Sequence, residues 1–279
     1  MADTDQLVTL QRGLAADSPA IYCFPGAGDS VTCFLAFSNA MGDRFTVHGA
    51  QPRGLDGMGT PHASVEDMVR DNIHAIRRIH AGGPYRLVGH SFGGWIALEL
   101  ALQLTAAGER VETVVLLDTD PPTIDREAVE RTTRIDAIME LIRNLEDKAA
   151  QRFGIQRSEL EKLPDEVRLH RLMDAMKAAR LFPLAATLPS IASMVDVFEA
   201  NLRTSYVPSR PLTSDILLVH PELDSATGGD YVAGEQAARS WQRYSRITRR
   251  IVVPGTHMRM LSTPTVDRIV AGVRAVWRT

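Results

Sequence analysis

The sequence predicts an α/β fold: a mostly parallel central sheet flanked by helices, with a block of helices inserted between two strands. Three observations carry this expectation. Short apolar runs alternate with longer amphipathic ones, the pattern of strand and helix units that build a parallel sheet. A stretch from about residue 123 to 206 interrupts the alternation with helical patterns only. The run YRLVGHSFGGWIALELA (85–101) sets a serine between glycines where an apolar run becomes helical.

Six runs read as strands: AIYCF (20–24), FTVHGA (45–50), YRLVGH (85–90), TVVLLD (113–118), DILLVH (215–220) and RRIVVP (249–254). Helices fill the intervals. SVEDMVRDNIHAIRRIH (64–80) opens on a serine cap, carries acids in its first turn, and spaces Val65, Met68, Ile73, Ile76 and Ile79 roughly along one face. GGWIALELALQLTAAG (93–108) is more apolar, so it should pack on the sheet, and its final Gly108 suits a helix C-terminus. Within the helical stretch, Leu163-Pro164, Phe182-Pro183 and Leu188-Pro189 mark breaks between helices. The expected organisation is therefore a core of residues 1–122 and 207–279 with a lid, residues 123–206, over the strand ends, where open α/β sheets bind ligands. The plainer alternative is a helical bundle of unrelated purpose.

Composition limits the function classes. With 44% hydrophobic and 23% charged residues among 279, the chain reads as a soluble globular protein. A formal net charge of -3 gives no ground for nucleic acid or an anionic membrane as partner. No apolar run approaches the roughly 18 residues needed to span a bilayer, and MADTDQLVTLQRG lacks the apolar core of a signal peptide. Cys23 and Cys33 have neither metal nor redox spacing and read as reduced packing residues. A cytoplasmic location is expected.

GHSFG (89–93) fits G-x-S-x-G, and a strand before it with a helix after it is the setting of a nucleophile elbow. Such a turn holds its serine in a strained conformation and lifts the hydroxyl to the top of the sheet. It also brings the Phe92 amide and the helix N-terminus to the point where an oxyanion would form. The bland alternative is a glycine-rich turn. A serine nucleophile needs a histidine base oriented by a carboxylate. His257, in PGTHM after the last strand, is the best-placed base, against the alternative of a surface histidine capping its loop. His48, His62, His74, His80 and His170 precede the elbow or fall on helical runs, His220 ends a strand, and His90 should point away from the nucleophile's face. Two acids remain open on spacing alone: Asp118, closing TVVLLD, and Asp224, in VHPELD.

The segments YCFPGAG (22–28), GAQPRGLDG (49–57), SVEDM (64–68), GGPYRLVGHSFGGWIALELA (82–101), VVLLDTDPP (114–122) and VPGTHMRML (253–261) span nearly the whole chain. Through them it resembles the thioesterase domains that end nonribosomal peptide and polyketide assembly lines of secondary metabolism. The resemblance implies an α/β-hydrolase fold with a helical lid. It tips the acid toward Asp118, with Asp224 the position used by stand-alone proofreading relatives, and it assigns the Ala27 amide as second oxyanion donor beside Phe92. A Gly-Ala-Gly loop, which brings bare backbone close to a reacting carbonyl, suits that role.

It further implies an acyl, peptidyl or polyketide chain delivered on the phosphopantetheine arm of a carrier protein, transferred to Ser91, and released by hydrolysis or macrocyclisation without metal or soluble cofactor. The competing expectations are a proofreading thioesterase that clears misprimed carrier proteins, a general serine esterase, and a noncatalytic carrier-docking module. DQLVTLQRG resembles the run that joins a carrier protein to such a domain, which favours the C-terminal part of a synthase. Arg53 of PRGLDG is expected to order its own loop, with a role near the substrate entrance as the alternative. Apolar residues of the helical stretch such as Met139, Leu172, Met173, Met176, Met194, Val197 and Phe198 should mostly pack helix on helix.

Overall fold

A computed structural model describes residues 6–80, 82–122, 126–182, 185–223, 239–245 and 247–277. Among these residues, seven strands form one sheet: β1 (Leu7–Gln11), β2 (Ala20–Phe24), β3 (Thr46–Ala50), β4 (Arg86–His90), β5 (Val114–Leu117), β6 (Ile216–Pro221) and β7 (Ile247–Val253). Their order is β1-β3-β2-β4-β5-β6-β7, and every neighbouring pair is parallel except β1 with β3. Every residue of β2, β4, β5 and β6 is buried, because helices cover both faces of the sheet at its centre. That is why these strands read in sequence as continuous apolar runs.

β1 departs from expectation. No strand is expected before residue 20, yet Leu7–Gln11 form an antiparallel edge strand, with Leu7 opposite Ala50 and a bulge between Thr9 and Gln11. An edge strand buries little, and Val8 stays exposed, so it leaves a weak apolar signature.

On one face lie α2 (Val65–Ile79) and α3 (Gly93–Ala106). The Ser64 hydroxyl caps α2 by accepting from the Asp67 amide. α3 is buried almost all round and ends before Gly108, which takes φ +78°. Their apolar cluster includes Tyr22, Phe24, Leu87, Leu98 and Trp241. The opposite face is covered by the 3-10 turn Val31–Phe34, α1 (Leu35–Met41) and the C-terminal helix α9 (Thr265–Trp277), through Phe34, Phe37, Val266 and Ile269.

Among the described residues, five helices fall between β5 and β6: α4 (Arg126–Arg131), α5 (Arg134–Ala149), α6 (Arg157–Leu160), α7 (Asp165–Ala178) and α8 (Leu188–Leu202). A capping box between Thr133 and Asp136 starts α5. Pro164 immediately precedes α7, and Pro189 sits in the first turn of α8, where its missing N–H costs nothing. Pro183 lies outside the described residues. Helices α5 to α8 share a third apolar cluster, in which Ile138, Leu172, Met176, Met194 and Phe198 are buried. Among the described residues, no helix is long and apolar enough to cross a membrane.

Candidate active site

Sterics dictate the turn between β4 and α3. A β-carbon on Gly89 would stand 2.4 Å from the Gly93 carbonyl oxygen, one on Gly93 would stand 2.1 Å from that of Phe24, and one on Gly94 would meet the Thr119 hydroxyl at 2.1 Å. Only glycine at all three positions lets β4, the end of β2 and α3 come this close. Ser91, held between them, takes φ +53°, a left-handed conformation that costs a non-glycine residue of order 1–3 kcal/mol. Its surroundings maintain it. The Ser91 amide donates to the Leu117 carbonyl (2.8 Å), and the Ser91 carbonyl accepts from the Gly94 amide (2.9 Å) and the Thr119 hydroxyl (3.0 Å).

Asp118 follows the last residue of β5, also at positive φ (+44°), and its amide donates to the Val219 carbonyl (2.7 Å). The TDPP loop beyond it is pinned from above. Trp241 Nε1 donates to the Thr119 carbonyl (3.1 Å), Trp95 Nε1 to that of Asp120 (2.9 Å), and the Tyr244 hydroxyl to that of Pro122 (3.0 Å).

His257 lies in the loop after β7, and its Nδ1 is 2.7 Å from Asp118 Oδ2. An ionised Asp118 accepts only, so Nδ1 carries the proton and Nε2 is left as the basic nitrogen. Burial opposes charge on both groups, but their pairing prevails. The facing imidazoles of His220 and His257 hold the Asp118 carboxyl well below the usual carboxylate range, while Asp118, helped by Asp120 and Asp147, raises His257 above its ordinary value. The other acid candidate, Asp224, lies outside the described residues.

Ser91, His257 and Asp118 open on one cavity of about 480 Å³, which Ala27 and Phe92 also line. Neither the Ala27 nor the Phe92 amide has a protein acceptor among the described residues. The helices between β5 and β6 close the far wall of this cavity with Glu140, Asn144, Phe198 and Asn201. Two of these helical residues also shape the Gly-Ala-Gly loop. Asn201 Oδ1 accepts from the Gly28 amide (3.3 Å), and a β-carbon on Gly28, at φ +62°, would lie 2.8 Å from Phe198 Cβ.

Two histidines set aside on sequence grounds border the site. His90 does not merely point away: its ring stacks on that of His257 with centroids 4.7 Å apart, and its Nε2 donates to the His257 carbonyl (3.1 Å). Burial, reinforced by the neighbouring His257, pushes His90 down to about 3, so it stays neutral. His220 Nδ1 stands 3.6 Å from Asp118 Oδ1, beyond ordinary hydrogen-bond length. Arg53 orders its loop as expected, packing on Gly59 and facing Asp71 of α2 at 3.8 Å. Among the described residues, no group of three or more His, Cys, Asp or Glu side chains could hold a metal ion.

Against known proteins, residues 19–275 match the family model described as a thioesterase domain. The chain belongs to that family. This thioesterase domain is 32% identical over 114 residues to the dimodular nonribosomal peptide synthase of Bacillus subtilis, covering 41% of the chain and only 5% of that synthase. Its fold matches that of holo-AB3403, a four-domain nonribosomal peptide synthetase, with a TM-score of 0.84 and 23% identity over 98% of this chain and 20% of the synthetase. It matches the Vlm2 thioesterase domain with a TM-score of 0.69 and 24% identity, covering 96% of both chains. The thioesterase domain thus has the α/β-hydrolase fold and spans a small part of the long synthases it resembles.

Proposed function

We propose that this thioesterase domain releases an acyl or peptidyl chain from the phosphopantetheine arm of a carrier protein, with Ser91 as nucleophile. The observation that carries this reading is the 2.7 Å bond between His257 and Asp118, which faces the same cavity as the serine of a strained elbow. The helices between β5 and β6 act as a lid that admits the chain. In the first half-reaction Nε2 of His257 takes the Ser91 hydroxyl proton as Oγ attacks the thioester carbonyl. The Ala27 and Phe92 amides donate to the oxyanion. On collapse the C–S bond breaks, the imidazolium returns its proton to the departing thiolate, and an acyl-serine ester remains. In the second half, His257 deprotonates water, giving a free acid, or a hydroxyl or amine of the chain itself, giving a ring. Serine is regenerated, and the chain's own residues supply every proton transfer.

Asp118 beside the histidine is the arrangement that the resemblance gives to chain-releasing members, and it supports chain release over proofreading. Incubating the protein and Ser91→Ala with a long acyl-pantetheine thioester bearing a terminal amine tests the reading, with intact mass and released product followed together. A serine-dependent adduct followed by product supports it; no adduct at any acyl length overturns it. Ring or linear acid among the products tells cyclisation from hydrolysis.

A further inference from the structure

The last turn of α5 holds an acid where a helix disfavours one. Asp147 sits at the C-terminal end, against the helix dipole, and its side chain is only 6% exposed. Its partners lie in the loop after β7, on either side of His257. The Thr256 hydroxyl donates to Oδ1 (2.5 Å) and the Met258 amide donates to Oδ2 (3.0 Å), while Arg259 Nε lies 3.7 Å from Oδ1. One carboxylate therefore fixes the backbone before and after the proposed base. The next residue, Lys148, pairs with Asp29 at 3.3 Å, and the Asp29 amide closes the turn onto Gly26 that contains Ala27. Two consecutive residues of one helix thus grip both loops that meet at Ser91.

We propose that Asp147 is a positioning residue for His257: by bracketing it through Thr256 and Met258, it makes the orientation of the imidazole depend on how α5 is seated over the sheet. This rests on the chain-release reading above. A base displaced by a fraction of an ångström loses its line to the serine hydroxyl while the cavity that binds the chain is unchanged, so the effect falls on the chemical step. An asparagine at 147 keeps an acceptor for the Met258 amide and can donate to the Thr256 hydroxyl, so it preserves the bracket without the charge.

The test measures acyl-enzyme formation from an acyl-pantetheine thioester by rapid quench and intact mass, as a function of substrate concentration, in the full chain. Asp147→Ala should lower the saturating rate by ~10- to 100-fold with the half-saturating concentration within about twofold of wild type, and Asp147→Asn should recover most of that loss. Thr256→Val, which removes one arm only, should cost ~3- to 10-fold. A wild-type rate in Asp147→Ala, or an Asp147→Asn as slow as Asp147→Ala, overturns the proposal. Should Asp147→Ala fail to fold, Thr256→Val decides, and an unchanged rate there overturns it equally. Absence of any adduct in the wild type would instead overturn the chain-release reading, which separates the two failures.

Discussion

Ser91 and Asp118 stand at the ends of adjacent parallel strands, and each adopts a positive φ, +53° and +44°. The Ser91 amide donates to Leu117, immediately before Asp118. The two residues share one arrangement of backbone, so disturbing the contact between their strands disturbs both.

Gly94→Ala provides that disturbance. Its new methyl would stand 2.1 Å from the Thr119 hydroxyl, which itself donates to the Ser91 carbonyl, and a closely packed turn cannot absorb it. We expect a loss of about 1–3 kcal/mol in stability, read as a lower Tm, with a fall in acylation rate larger than Gly108→Ala produces. Gly108 is the control for space, since nothing lies within 4 Å of its added carbon, and the strain of an alanine at its φ of +78° falls on stability far from Ser91.

The pH dependence follows from His257. Burial alone would lower its pKa, but Asp118 and then Asp120 and Asp147 raise it above the ordinary histidine value; His90, stacked against it, stays uncharged, and His220 faces Asp118. A general base works in its neutral form, so kcat/KM should rise with pH through a midpoint above ~6.5. Removing the carboxylate with Asp118→Asn should move that midpoint down and cost ~10³- to 10⁴-fold in rate. Asp224→Asn should leave both nearly unchanged. A pH–rate profile of the three proteins checks the assignment, and the reverse pattern would transfer the role to Asp224.

Asn201→Leu should slow acylation without closing the cavity. It leaves the Gly28 amide without its side-chain acceptor in the loop that carries Ala27. The expected cost is about 1–3 kcal/mol in stability, together with a lower saturating rate and a substrate affinity that changes little. A calorimetric melt and the acylation assay on the same sample separate the two effects.

Much of this site was legible because its signals are local. The spacing of glycines around Ser91 states a steric requirement within six residues, and His257 follows a strand that its own apolar run betrays, whereas spacing alone leaves Asp118 and Asp224 open and only the family resemblance tips the choice to Asp118. His90, Asn201 and Asp147 were not legible in this way. Their partners are 167 residues away for His90 with His257, 173 for Asn201 with Gly28, and 111 for Asp147 with Met258. No pattern in a single chain records such pairs. The one local hint was an aspartate closing a helix, which a helix built for its own stability avoids. Among the elements, β1 was missed because an edge strand half open to water need not alternate cleanly, whereas the central strands are buried throughout.

Helices α5 to α8 pack around an apolar cluster distinct from the two that sandwich the sheet. Substitutions inside that third cluster can reshape the roof over Ser91 while the strands beneath retain their own packing energy. The roof is nonetheless tied to the loops beneath it through Asp147, Phe198 and Asn201, so a repacking that shifts α5 or α8 is felt at His257 and at the Gly-Ala-Gly loop as well as in the shape of the cavity.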